Sequence, residues 1–296
     1  MNSVYLFAYR TYFTLKKSVV DRSLRRWPAA QRGFDAAKGF IKRRFFPSRQ
    51  LWLQVQSGLA QGMWIHLRIP EEAGFWRGEH EPEVQATLSA IVRPGDVVYD
   101  VGAHLGSIAL GVARLVGANG GVVAFDGEPA NILRLRENSV RNHLERSLQV
   151  VHAAVWSHTT AQGISFRRAR AGTSQGGVEA GGQRPVLADG EIIQVPVITL
   201  DDFVAAGGPP PHFIKIDVEG GECEVLRGAT SLLRTKRPFL IVEVHNQQAD
   251  EQIRSWLEDF RYSAEWKIPK ENFPRCLIAW PIERDTRFPP AAQAGR

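Results

Sequence analysis

An α/β fold, with a mostly parallel twisted sheet and helices on both faces, is predicted by three observations. Short β-forming runs alternate with helix-length runs along the middle of the chain, the grammar of strand–helix–strand units. The run VVYDV at Val97 to Val101 passes straight into a glycine-spaced turn, Gly102-Ala103-His104-Leu105-Gly106-Ser107. Acids recur at the ends of strand-like runs, namely Asp100, Asp126, Asp217 and Glu243, and the carboxyl ends of the strands are where an open α/β sheet forms its crevice.

The elements follow in order. Glu83 to Val92 reads as an entry helix, and Val97 to Val101 as a strand rich in β-branched and aromatic residues. The apolar run Ile108 to Val116 is the next helix, its N-terminal amides turned toward a ligand. Gly121 to Phe125 is a second strand ending in Asp126, Ile132 to Leu144 a helix, and Ser147 to Val155 a third strand. Arg167 to Glu191 is glycine-rich and predicts a long loop or hairpin. Phe213 to Val218 and Phe239 to Val244 are further strands, each leading into a helix, and the tail Arg287 to Arg296 reads as disordered.

The turn after the first strand selects its ligand. A dinucleotide fingerprint needs three closely spaced glycines. Here only Gly102 and Gly106 are present, with Asp100 ahead of them, which suits a ligand bearing a cationic or amine tail. Asp126, twenty residues after Gly106, stands where a carboxylate accepts ribose hydroxyls. Carboxylates at two neighbouring strand ends fit a molecule with an adenosine and an amino-acid group, and S-adenosylmethionine is one.

From about Gly78 to Asn246 the chain resembles the FkbM family of S-adenosylmethionine-dependent methyltransferases. The resemblance rests, in order, on GEHEPE at Gly78 to Glu83, RPGDVVYDVGAHLG at Arg93 to Gly106, and AFDGEPAN at Ala124 to Asn131 with Asn138 and Asn142 behind it. It continues with ITLDD at Ile198 to Asp202, FIKIDVEGGECEVLRGA at Phe213 to Ala229, and PFLIVEVHN at Pro238 to Asn246. The KIDVEG element is the most specific of these. The resemblance implies a class I (Rossmann-like) methyltransferase fold and transfer of a methyl group to the hydroxyl of a glycan sugar or secondary metabolite; a lipid-linked sugar is the expected acceptor only if the basic aromatic N-terminal segment lies on a membrane. The cofactor shelf would comprise Asp100, Gly102, Ala103, His104, Gly106, Ser107, Asp126 and Asn131. Departures fall on that shelf: His104 replaces a common Asn, Ser107 a common aromatic, and Asp126-Gly127 a common Glu-Pro, with Glu128 nearby. They sustain one rival reading, a non-catalytic binding or membrane-tethered scaffold. A nicotinamide-dependent oxidoreductase is disfavoured by His104, where a dinucleotide turn has glycine.

Charge divides the chain. Residues 1–50 carry 12 Lys or Arg against 2 Asp, while the remaining 246 residues have a net charge of −4. The first segment mixes these cations with Tyr and Phe, as expected of a helix lying on an anionic membrane surface. No stretch approaches a membrane span, and an Arg-rich start also resembles a transit peptide. The expected organisation is a basic aromatic arm over residues 1–60, a methyltransferase domain over 61–284 and a flexible tail over 285–296. Cys223 and Cys276 form no disulfide framework or metal spacing, so the expected location is cytoplasmic, peripheral at a membrane surface if the arm binds there. The acidic catalytic portion argues against nucleic acid as a partner.

The chemistry is expected at the ends of the fourth and fifth strands. Period 2 places Asp217 with Glu219, and Glu243 with His245, on one side of their strands, so Asp217, Glu219, Glu243 and His245 are the expected catalytic set. His245 is the best-tuned base by its ordinary pKa, and Asp217 or Glu219 could replace it if burial raised theirs. Lys215 projects beside Asp217, where a simple salt bridge accounts for both. Glu222 and Glu224 read as first-turn carboxylates facing a helix dipole, and Cys223 as a packing residue. Asp217, Glu243, His245 and Asn246 also offer ligands to a divalent metal, but no closely spaced ligand motif demands one, and no metal is assigned.

Overall fold

The computed structural model describes Tyr5, Phe7 and residues 47–167, 177–178, 191–267 and 273–284. The rest of the N-terminal arm, most of the glycine-rich stretch and the tail lie outside the described residues, and so does the expected membrane contact. The first elements are an antiparallel hairpin, β1 (Arg49–Gln54) and β2 (Trp64–Ile69), followed by α1 (Ala73–Arg77) and α2 (Pro82–Ile91). The hairpin runs across residues 60 and 61, and Leu51, Leu53, Val55 and Leu59 join the domain core.

A βαβαβ unit comes next: β3 (Val97–Val101), α3 (Ser107–Val116), β4 (Gly121–Asp126), α4 (Pro129–Arg141) and β5 (Leu148–His152). The expected third strand splits at Ala153. Its last two residues form β6 (Ala154–Val155), which leaves the main sheet and pairs with β9 (Ile192–Ile198) in a second sheet with β7 (Thr160–Arg167) and β8 (Gly177–Val178). A continuous apolar run does not reveal that its end changes sheets. The glycine-rich stretch is thus flanked by two strands that pair antiparallel.

The chain returns through α5 (Leu200–Ala205) to β10 (Phe213–Ile216), α6 (Glu222–Arg227) and α7 (Thr230–Thr235). It ends with β11 (Phe239–Val244), α8 (Gln247–Asp259), β12 (Tyr262–Trp266) and β13 (Arg275–Pro281). The main sheet has the order β12-β13-β11-β10-β3-β4-β5. Its strands are parallel except β13, which runs antiparallel to both neighbours. Strand period 2 sends Val98, Phe213 and Ile241 into the core layer shared with the hairpin and α3, and Tyr99, Ile214 and Leu240 into the layer under α6 to α8. Strand order reverses between β3 and β10, so the crevice of an open α/β sheet opens at their carboxyl ends.

Asn138 of α4 and Asn142, which caps the helix, hold the hairpin in place. The Asn138 Oδ1 accepts from the His66 amide at 2.8 Å while its Nδ2 donates to the Leu105 carbonyl at 2.9 Å. Asn142 accepts from the Trp64 amide at 2.8 Å and donates to the same residue's carbonyl at 2.6 Å. The hairpin is thereby tied to the glycine turn through Leu105.

Candidate active site

The glycine turn leaves β3 in a left-handed conformation at Gly102 (φ 80°), His104 (φ 51°) and Gly106 (φ 83°). Both glycines serve internal packing. A β-carbon at Gly102 would lie 1.7 Å from the Asp217 carbonyl oxygen, and one at Gly106 would lie 2.0 Å from Leu135 Cδ1. Ser107 opens α3. Asp126, at the end of β4, accepts from the backbone amides of His104 (2.8 Å) and Glu128 (2.7 Å) and from Asn131 Nδ2 at 3.3 Å. Burial outweighs these donors and pushes Asp126 up to about 7. Asn131 thus acts on Asp126, and Glu128 is committed to capping α4 through the Ala130 amide.

His104 is drawn under α1, where Phe75 lies between it (ring centroids 5.3 Å apart) and the stacked ring of His80 (4.2 Å). Burial, with the charge of His80, lowers His104 to about 4. The ring is a neutral wall of the turn.

Asp100 is buried, and among the described residues no group donates a well-formed hydrogen bond to its carboxylate, the Lys215 ammonium being an ion-pair partner. Burial pushes its pKa up, Glu81 and Asp217 adding to the effect against Lys215. Lys215 Nζ stands 3.4 Å from Asp100, 3.5 Å from Glu81 and 3.6 Å from Asp217. The expected salt bridge is therefore one edge of a buried four-residue cluster that the GEHEPE segment completes through Glu81. That segment turns left-handed at Glu81 (φ 46°), and the carboxylate is held at about 2, Lys215 and His80 overcoming its burial.

Asp217, Glu219, Glu243 and His245 do converge. Asp217 Oδ1 lies 3.8 Å and Glu219 Oε2 lies 3.5 Å from His245 Nε2, and ligand-type atoms of Asp217, Glu243 and His245 all fall within 4.8 Å of one another. Strand period does not bring Glu219 there. β10 ends at Ile216, and a left-handed turn at Glu219 (φ 51°) and Gly220 (φ 101°) carries the carboxylate round to the histidine. Burial opposes charge on His245, but Glu222, Asp217 and Glu219 together raise its pKa to about 9. Burial and the carboxylates of Asp217 and Glu81 raise Glu243 to about 8. His245 is therefore not tuned to its ordinary value, and both groups are mainly protonated at neutral pH.

Glu222 is a first-turn carboxylate of α6, as read, and it does more than face the helix dipole. Its side chain is fully buried, Oε1 contacts His245 Nδ1, and the same oxygen accepts from the Gly220 amide at 3.0 Å. Glu224 instead pairs with Arg227 on the same helix, and Cys223 is half-buried with its Sγ near the Ala249 carbonyl. A carboxylate at a helix start looks the same in sequence whether it meets water or a neighbouring strand. The available signal was the density of acids, four between Asp217 and Glu224.

An open sheet of this order, with an acid-flanked glycine turn at its switch point and polar groups at the next two strand ends, defines a class I methyltransferase, whose methyl donor is S-adenosylmethionine. A family model described as the methyltransferase FkbM domain matches residues 100–264. That is more than half of the chain, and the chain belongs to the FkbM methyltransferase family.

Hexuronic acid methyltransferase AglP of Haloferax volcanii is 29% identical over 187 residues, covering 62% of this chain and 71% of the relative. The 31-O-demethyl-FK506 methyltransferase FkbM of Streptomyces tacrolimicus is 30% identical over 178 residues, covering 52% of this chain and 67% of the relative. A crystal structure of an FkbM methyltransferase from Methylobacillus flagellatus superposes with a TM-score of 0.45 at 18% identity, covering 62% of this chain and 43% of that one. An S-adenosylmethionine-dependent O-methyltransferase from Thermotoga maritima gives 0.42 at 11% identity, covering 68% of this chain and 65% of that one.

Proposed function

We infer that this enzyme methylates a hydroxyl oxygen on a sugar, lipid-linked glycan or secondary metabolite, with His245 as the base. The observation that carries the reading is the position of His245 Nε2, 3.8 Å from Asp217 and 3.5 Å from Glu219, which follow β10, the strand that pairs with β3 and its glycine turn. The two relatives, named for a hexuronic acid and for 31-O-demethyl-FK506, support a hydroxylated acceptor.

The chain's residues suit S-adenosylmethionine. Asp100 offers buried oxygens to which, among the described residues, no group donates a well-formed hydrogen bond, the Gly102 to Gly106 turn brings backbone close, and Asp126 stands at the next strand end to meet the ribose. When bound, the cofactor supplies an electrophilic methyl group and leaves as a neutral thioether as the oxygen–carbon bond forms. His245 Nε2, once deprotonated, takes the acceptor's hydroxyl proton, and the resulting imidazolium is stabilised by Asp217 and Glu219. Holding the acceptor in line beside the turn provides much of the rate. No metal is assigned a role, because the Lys215 ammonium already stands against Asp217 as the cation of this corner.

The test is to incubate the enzyme with methyl-labelled S-adenosylmethionine and a set of glycosides, uronates and polyols, reading product by mass spectrometry. Labelled methyl on a hydroxyl oxygen, lost in His245→Ala, supports the reading. Methyl on nitrogen or carbon, or full turnover by the variant, overturns it.

A further inference from the structure

We propose that Glu222 is a positioning residue that fixes the His245 ring with its Nδ1 protonated and its Nε2 aimed at the acceptor. The proposal rests on the reading of His245 as the base and adds what makes that ring usable.

Geometry carries it. Glu222 is fully buried at the start of α6, and its Oε1 is anchored from behind by the Gly220 amide while contacting His245 Nδ1. An acceptor-only carboxylate against Nδ1 requires that nitrogen to carry the proton, so Nε2 is left to gain or lose the titrating one. The ring cannot turn over without placing Cδ2 against the buried carboxylate and giving up the Nδ1 hydrogen bond. The other titratable groups around the ring, among the described residues, are Asp217 and Glu219 from the turn after β10, 3.8 and 3.5 Å from Nε2, and Glu243 from the histidine's own strand. Asp217 shares its other oxygen with Lys215. Among the described residues Glu222 alone meets Nδ1, so it is Glu222 that sets which nitrogen faces the acceptor.

Helix geometry shows why Glu222 can do this. It is the first residue of α6, and the left-handed Glu219-Gly220 turn folds that helix start back over the end of β11. The same turn delivers Glu219 to one side of the imidazole and Glu222 to the other.

The test needs no acceptor. Protein labelled with ¹⁵N-histidine is followed by long-range ¹H–¹⁵N correlation from pH 6 to 10, with His245→Gln for assignment. In the wild type, the His245 Nδ1 should stay protonated throughout and Nε2 should deprotonate on the alkaline side of neutrality. In Glu222→Gln, titration should move toward acid and the single tautomer should be lost, while Glu222→Asp should restore part of both. S-adenosylhomocysteine affinity should be unchanged in each variant. With any acceptor in hand, Glu222→Gln should lower kcat by roughly two orders of magnitude or more with little change in cofactor KM. A wild-type His245 protonated on Nε2 at high pH, or a tautomer and titration unaltered in Glu222→Gln, overturns the proposal. Because the wild-type tautomer alone decides it, a variant that fails to fold does not protect it. A wild-type ring in the stated tautomer in an enzyme that transfers no methyl to oxygen would instead refute the functional reading and leave the positioning intact.

Discussion

Gly102 and Asp217 approach so closely that a β-carbon on the glycine would lie 1.7 Å from the aspartate's carbonyl oxygen. The backbone of the glycine turn and the backbone that leads to Asp217 and Glu219 are thus in direct contact, in a sheet where β3 and β10 are hydrogen-bonded neighbours.

Gly102→Ala should therefore damage both ends of the site at once. The left-handed φ adds strain to the overlap, and the expected loss is about 1–3 kcal/mol or more of stability. Urea unfolding monitored by tryptophan fluorescence measures it, and S-adenosylhomocysteine titration should show weakened binding in the folded fraction.

Lys215 neutralises a cluster in which it and Asp100 are buried and Glu81 and Asp217 are partly buried. Lys215→Met keeps most of the volume but strands Glu81, Asp100 and Asp217, and should cost about 3–5 kcal/mol at neutral pH. The deficit should narrow as the pH falls and the stranded carboxylates take up protons. Chemical denaturation at pH 7.5 and pH 5 gives both numbers.

The pH dependence has a defined sign. Because His245 is held at about 9 against an ordinary 6.5, its contribution to stability is fully present below 6.5 and is lost as pH rises through 9. Glu243, raised from 4.5 to about 8, acts in the same direction, its contribution being lost as pH rises through 8. Melting temperature should fall between pH 7 and pH 9.5, and the fall should be smaller in His245→Gln. Turnover should move the opposite way, climbing as Nε2 loses its proton, until the loss of structure intervenes.

Asn138 links hairpin, helix and glycine turn through its two side-chain polar atoms. Asn138→Ala leaves the Leu105 carbonyl and the His66 amide without partners, and should cost about 2 kcal/mol or more. Hydrogen exchange should show the β1–β2 hairpin losing protection ahead of the central sheet.

The sequence made the central sheet legible where pattern and motif agree. β3 with its turn, β4 ending in Asp126, and β11 ending near Glu243 and His245 each carry local signals: apolar runs, glycine punctuation and terminal acids. Sequence patterns hid whatever depends on contacts between distant segments. The second sheet was missed because β6 continues the apolar run of β5 without a break. Glu219 reached the site by a left-handed turn instead of strand alternation, and Glu222 looked like any first-turn acid. Glu81 lay in a recognised motif, yet its tie to Lys215 crosses more than 130 residues of chain.

The central claim is tested most directly by calorimetric titration of S-adenosylhomocysteine into the purified protein, with Asp126→Ala and NAD as controls. Binding in the micromolar range that Asp126→Ala abolishes and NAD does not reproduce is the expected result. No binding of S-adenosylhomocysteine, or tighter binding of NAD, would contradict it.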